Sequence, residues 1–259
     1  LNYPALKQKL DDNYRYFDKS QISPDPLEFL HRFSNPEDIE TSGFISSVFA
    51  YGNVKQIIST LEKIHSIIEN NPHKFIQNYS SKKGRALFAN LKHRFYSTED
   101  IVLFFLTLKK VLNDYGSIKN YFLKCFHEND LKMRESISAF SNGMIKFTGV
   151  KNYSHGLKFM FPDPFKGSAC KRMNLFLRWM VRKDELDFGL WNEIPASKLI
   201  IPVDTHVAKI CRQLKLTGRK NVSWKMAEEI TEKLKLFDEQ DPVKYDFAIC
   251  HIGMRKLKF

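Results

Sequence analysis

Apolar residues recur at helical spacing along most of the chain. Ile57, Ile58, Leu61 and Ile64 fall on one stripe, and Ile101, Phe104, Phe105, Leu108 and Val111 on another. This is the pattern of helices that each turn one face to a core. No stretch alternates strictly between apolar and polar residues within turn signals, so no strand of consequence is expected. Short polar or Pro/Gly segments punctuate the runs at Ser23-Pro24-Asp25-Pro26, Ser34-Asn35-Pro36, Gly52-Asn53, Asn71-Pro72, Tyr115-Gly116, Ser141-Asn142-Gly143 and Pro162-Asp163-Pro164. Helix starts are marked as well. Asn35 precedes Pro36-Glu37-Asp38, which supplies a capping side chain, a proline at the first helical position and acids in the first turn; Ser97-Thr98-Glu99-Asp100 is similar. The pattern predicts an all-α protein of roughly ten to twelve helices. Proline-containing breaks near 23–36 and 195–202 predict residues 35–199 as one helical body and residues 1–34 with 200–259 as a second lobe, with a cleft between them.

Composition narrows the class. The 259 residues are 43% hydrophobic and 27% charged, ordinary for a folded globular chain and incompatible with wholesale disorder. Cys125, Cys170, Cys211 and Cys250 are 45, 41 and 39 residues apart. That spacing matches no zinc knuckle, redox pair or iron–sulfur ladder, and favours a reducing, intracellular setting over a disulfide scaffold. No apolar run reaches the ~18 residues of a membrane span. The sequence begins at Leu1, which leaves a removed leader open. The formal charge is +12, unevenly spread: residues 151–259 carry 21 Lys/Arg against 13 Asp/Glu, and residues 1–150 carry 20 against 16. Such a basic excess is the electrostatic footprint of a phosphate-backbone binder.

The residues able to carry chemistry lie between Pro162 and Gly253. Phe165-Lys166-Gly167-Ser168-Ala169-Cys170-Lys171 reads as a tight turn entering a helix, with Gly167 free to take positive φ and Ser168 placed to cap. Backbone N–H groups at such a helix start suit a phosphate. In the helix that follows, Met173, Phe176, Leu177, Met180 and Val181 form an apolar face. Lys171, Asn174, Arg178 and Arg182 line up opposite, at steps of three and four residues. A row of cations repels itself unless an anion sits against it, so this face is a candidate phosphate contact. Downstream, Leu199-Ile200-Ile201-Pro202-Val203 leads into Asp204, placed as the N-cap of a helix whose buried stripe is Val203, Val207, Ile210, Cys211 and Leu214.

The string Pro202-Val203-Asp204-Thr205-His206-Val207, with Arg212 and Leu214-Lys215-Leu216 behind it and Gly167 four residues before Lys171, resembles the signature of the helix-hairpin-helix DNA glycosylase superfamily, which includes endonuclease III and the 8-oxoguanine glycosylases. Asn221-Val222-Ser223-Trp224 through Ile249-Cys250-His251-Ile252-Gly253 continues the likeness more loosely, and the resemblance spans most of residues 35–253. It implies a two-lobed helix-hairpin-helix glycosylase-like fold with an interlobe cleft. Position by position, it makes Lys171 the lysine nucleophile and Asp204 the catalytic aspartate, and Gly167 and its neighbours the hairpin that grips the DNA backbone.

This chain departs from the pattern in three places. Its hairpin reads Phe165-Lys166-Gly167-Ser168-Ala169 instead of Leu-Pro-Gly-Val-Gly. Lys171 and Asp204 are 33 residues apart, more than in endonuclease III and more like the archaeal 8-oxoguanine branch. The C-terminal cysteine cluster is missing, so the likeness points to a bacterial branch without an iron–sulfur cluster.

The expectation is therefore a bifunctional DNA glycosylase and AP lyase excising an oxidised base such as 8-oxoguanine. Lys171 attacks the sugar C1′, which requires a neutral amine, favoured by desolvation and by neighbouring cations such as Arg172 and Arg178. Asp204 stays ionised at its helix start and stabilises the positive charge that builds on the sugar. Lys166, Gly167, Ser168, Arg172, Arg178, His206 and Lys209 are the expected DNA contacts. Phe161, Phe165, Trp179 and Trp191 are candidates for stacking against a base that must leave the duplex, although aromatics at such positions more often belong to a core. The expected partner is damaged double-stranded DNA, bound by a monomer in the cytoplasm at the nucleoid, with no membrane. No cofactor is expected beyond a monovalent cation at the hairpin. The alternative is a non-catalytic helix-hairpin-helix DNA-binding protein; weaker still is an interaction role in which the basic face meets an acidic partner.

Overall fold

The computed structural model describes residues 3–126 and 133–255, with side chains as far as His251. Every candidate site residue falls on described residues, whereas residues 1, 2, 127–132 and 256–259 lie outside them and Ile252 and Gly253 lie outside the described side chains. The architecture is all-helical: among the described residues there are thirteen α-helices and four short 3-10 segments, and pairing in the manner of strands is limited to two isolated bridges, His93 with Tyr96 and Lys183 with Phe188. The helices are α1 (Tyr3–Tyr16), α2 (Pro36–Phe49), α3 (Val54–Ile67), α4 (Pro72–Gln77), α5 (Ser81–Leu87), α6 (Thr98–Tyr115), α7 (Ile118–Cys125), α8 (Met133–Phe147), α9 (His155–Met160), α10 (Lys171–Val181), α11 (Thr205–Gln213), α12 (Trp224–Lys235) and α13 (Asp246–Arg255). No helix among the described residues is long and apolar enough to cross a membrane.

Two compact units emerge: Leu1–Ser23 with Pro164–Phe259, and Pro24–Asp163. Both chain ends share a unit, but the junctions fall at 23/24 and 163/164, where the sequence predicts 34/35 and 199/200. The reason lies in the side chains of residues 171–187, which are bonded to partners far along the chain. Arg178 pairs with Asp246 and Arg182 with Asp241, and Tyr14 of α1 donates to Asp184 at 3.1 Å. Side chains of α10 and of the loop after it are thus tied to α1, to the cap of α11 and to α13.

In the unit Pro24–Asp163 the capping signals act as the sequence indicates. Asn35 accepts the Glu37 N–H, and Ser97 and Asp100 exchange bonds in a reciprocal capping box. The core is aromatic: Phe44, Phe49, Phe88, Phe104, Phe105 and Phe140 are all buried. Ser141-Asn142-Gly143 does not interrupt α8, which runs through it. Gly143 is small because Tyr121 lies across the helix there; a Cβ at this position would sit 1.7 Å from the Tyr121 hydroxyl. What reads as a break is a point of close packing.

His65 belongs to this core, stacked on Phe29 at 4.8 Å with Nε2 3.4 Å from Ser42 Oγ. Burial, assisted by the charge of Arg32, pushes its pKa down to about 4. The unfolded chain titrates near 6.5 and so takes up this proton first as the pH falls. The stability His65 contributes is full above about pH 6.5 and is lost as the pH drops toward 4; about 2 kcal/mol goes between roughly pH 7 and pH 5. Urea unfolding at the two pH values should show this loss, and His65→Phe should flatten it.

Candidate active site

The site is built in the unit that holds both chain ends. Pro164–Lys166 forms a single 3-10 turn. Gly167 follows with φ +84°, and its N–H donates to the Pro164 carbonyl at 3.1 Å. Nothing lies within 4 Å of the place a Cβ would occupy, so glycine is required at Gly167 by backbone conformation and not by crowding. Ser168 does not cap α10. Its hydroxyl accepts the Cys170 N–H at 3.1 Å, and the residue at the cap position is Cys170, in the left-handed region at φ +49° with no side-chain cap bond. The chain has to reverse within three residues, and Cys170 takes the strained turn that leaves the first N–H groups of α10 without a side-chain cap from Cys170. The Trp224 N–H, at the start of α12, donates to the Gly167 carbonyl at 3.3 Å and braces the turn.

Lys171 is the first residue of α10, and Asp204 is the N-cap of α11. Asp204 Oδ1 accepts the His206 and Val207 N–H groups at 2.9 and 3.0 Å, as its cap position predicts. Its other oxygen lies 3.1 Å from Lys171 Nζ. The two side chains are 29% and 26% exposed, sheltered yet reachable from solvent. Burial pushes the Asp204 carboxyl up, but the Lys171 ammonium, the Val207 N–H and the nearby His206 outweigh it and hold the group below the ordinary carboxylate range. The start of α11 adds its positive dipole end. The arrangement thus holds a carboxylate anion, an amine and hairpin N–H groups in one unit.

Other expected residues divide into two sets. Lys166, Gly167, His206 and Lys209 are exposed, and Ser168 is half-buried; these can reach a ligand. Arg178 cannot. Its side chain is 3% exposed, 3.2 Å from Asp187 and 2.5 Å from Asp246. Arg182, also 3% exposed, pairs with Asp184, Asp187 and Asp241. Arg172 is buried too. The row of cations on α10 is therefore met by the protein's own carboxylates, and α10 is covered on every side. The Lys171 amine meets Asp204, and it also lies near enough to Asp246, the partner of Arg178, to act on that group's charge. Burial pushes the Asp246 carboxyl up to about 6, against the pull of Arg178 and Lys171.

The aromatic candidates separate in the same way. Trp179 and Trp191 are fully buried, Trp191 edge-on to Phe176 at 5.1 Å. Phe161 is core in the other unit, against Phe104. Phe165, beside the Gly167 turn, is 54% exposed. Sequence reasoning missed Cys170 as the turn residue and Asp187 and Asp246 as the arginine partners. The run Lys183-Asp184-Glu185-Leu186-Asp187, just past Arg182, was the available signal for the nearer acids.

A monovalent cation at the hairpin would need backbone carbonyls turned toward it. Those of Pro164, Gly167, Ala169 and Cys170 already accept the Gly167 N–H, the Trp224 N–H, the Asn174 amide and the Asn174 N–H. Each of these oxygens keeps a second lone pair, so the bonds occupy the carbonyls only in part. Among the described residues no group of three His, Cys, Asp or Glu side chains is gathered to hold a metal.

Two substitutions test this geometry. Asp204→Ala should cost about 1–2 kcal/mol, the value of a lost N-cap, whereas Asp204→Asn keeps an accepting oxygen and most of that stability; urea midpoints compare them. Arg178→Ala should cost about 3–5 kcal/mol, because it strands buried carboxylates. A DNA-contacting surface arginine would instead leave the thermal unfolding midpoint almost unchanged.

No curated protein and no solved structure matches the chain. A family model does, over residues 25–255, and so takes in both units, the hairpin and the Lys171–Asp204 pair. The chain belongs to the family described as protein of unknown function DUF2400.

Proposed function

We propose that this protein is a DNA glycosylase with AP lyase activity that removes an oxidised base, 8-oxoguanine or a close analogue, from double-stranded DNA. The observation that carries the reading is the Lys171–Asp204 pair: an amine 3.1 Å from a carboxylate that two backbone N–H groups fix in place, both partly exposed, beside a turn whose Lys166 and Gly167 are exposed. The two-lobed helix-hairpin-helix glycosylase-like architecture, action as a monomer at the cytoplasmic nucleoid and chemistry without a resident cofactor belong to the same proposal.

The chemistry follows from those groups. Lys171 gives up a proton, which Asp204 relays to solvent so that its carboxylate is ionised again, and the nitrogen lone pair attacks C1′. The bond from C1′ to the base breaks, the electron pair leaves with the base, and a proton from solvent completes it. Asp204, kept anionic by its helix start, opposes the positive charge on the sugar during this step. The nitrogen then loses one of its two remaining protons, its lone pair forms the C1′=Nζ bond as the C1′–O4′ bond breaks, and O4′ takes up a proton, giving a protonated Schiff base. Removal of a proton from C2′ then expels the 3′ phosphate and nicks the strand. The target base must first leave the stack, which is cheapest at a damaged pair, and exposed Phe165 is placed to take up part of the lost stacking.

The test is borohydride trapping on 8-oxoguanine and abasic-site duplexes. Wild type should give a covalent protein–DNA band, and Lys171→Ala should abolish it. Asp204→Asn should lower its rate on the order of a hundredfold or more, as loss of a charge-stabilising group does. No band, with salt-sensitive DNA binding intact, would overturn the enzyme reading in favour of a non-catalytic DNA-binding protein.

A further inference from the structure

The unit Pro24–Asp163 has a cavity of about 410 Å³ whose wall carries Lys55, Lys63, Lys92 and Arg94, with Gln56 and Ser59 between them and no carboxylate. Buried Thr60 and His93 form its floor, His93 Nδ1 3.1 Å from Thr60 Oγ1. On α3, Lys55, Ser59 and Lys63 follow one another at successive turns, so the basic row extends about 12 Å. That is longer than one phosphate group needs and matches an extended polyanion. The opposite wall is fixed by an unusual backbone: Arg94 has φ +57°, a region non-glycine residues seldom enter unless their surroundings hold them there. Its guanidinium lies 5.2 Å over the Tyr51 ring. The next residue, Phe95, is 39% exposed and packs against Tyr51, Phe159 and His155 at 6.1, 4.8 and 4.8 Å. A partly solvent-facing aromatic cluster thus adjoins Arg94.

Cations in line bind successive phosphates, and an exposed ring beside them binds an unstacked base; together they describe a single-strand site. We propose that this cavity binds a single-stranded segment of nucleic acid, its phosphodiesters along Lys55, Lys63, Lys92 and Arg94 and a base against Phe95. The proposal rests on the reading above only for the kind of partner; it needs no chemistry at Lys171.

Full-length protein is titrated with fluorescent oligothymidylate across a range of salt concentrations. Lys55→Gln/Lys63→Gln should weaken binding on the order of tenfold at low salt and flatten the log–log salt slope by about 1.4, the loss of two single-strand phosphate contacts. Phe95→Leu, which keeps the apolar packing, should weaken binding at every salt concentration without changing the slope. Unaltered affinity and slope in both variants would overturn the proposal. So would efficient displacement of the oligomer by inorganic phosphate at matched ionic strength, which would mark the cavity as a site for a free phosphate group. The borohydride band on abasic duplex, read in parallel, keeps the two readings separable: its absence counts against Lys171 alone, and an unchanged salt slope against the cavity alone.

Discussion

Two buried arginines, Arg178 on α10 and Arg182 at its C-terminal cap, set the terms for the unit that carries the candidate site. A guanidinium at 3% exposure is tolerable only where carboxylates meet it. Here Asp187 serves both Arg178 and Arg182, Asp246 completes the first and Asp184 and Asp241 the second. Such a cluster adds little net stability, since desolvating the charges offsets most of their attraction, but it penalises any other arrangement heavily. Its acids come from the loop after α10, the loop before α13 and α13 itself. Satisfying it therefore fixes α10 in both rotation and depth against the C-terminal helices.

That fixation reaches the chemistry through a short lever. Arg178 is two turns from Lys171 on the same helix, and Asp246 is influenced by both cations. With α10 locked, the Lys171 amine at its first residue is held against the cap of α11. A lysine at a helix start opposes the macrodipole, and Asp204 relieves that conflict while also answering the dipole of its own helix. One carboxylate thus serves as cap, counter-ion and candidate catalytic group. Each role calls for the same ionised state, which is the state its depressed pKa favours.

Features that depend on a few neighbouring residues were legible in the sequence. The caps at Asn35, Ser97 and Asp204, the positive φ at Gly167 and the helical character of the whole chain all follow from local backbone chemistry, and all are found. The pairing of Lys171 with Asp204 rested on a motif and holds in the geometry. Features that depend on distant partners were misread. A helical wheel shows that Arg178 and Arg182 share a face but not what covers it, and their partners Asp241 and Asp246 stand 59 and 68 residues away. The same blindness made Trp179 and Trp191 look available, placed a domain boundary at 199, and turned Gly143 into a break where Tyr121 only needed room.

The charge balance takes on a different meaning once the cluster is counted separately. Residues 151–259 hold 21 basic and 13 acidic side chains. Arg178, Arg182 and their four aspartates engage one another, which leaves 19 cations against 9 carboxylates for the rest of this stretch. The internal network consumes more acid than base, so the surface is more basic than the formal sum implies. In the other unit the excess is smaller in the sequence but concentrated in one cavity wall without a carboxylate. Local concentration of like charge, more than net charge, governs how strongly a surface draws in a polyanion within a Debye length of about 8–10 Å. Each unit thus presents its own cationic surface, one beside an amine–carboxylate pair and the other beside exposed aromatic rings, and each suits a different feature of a nucleic acid.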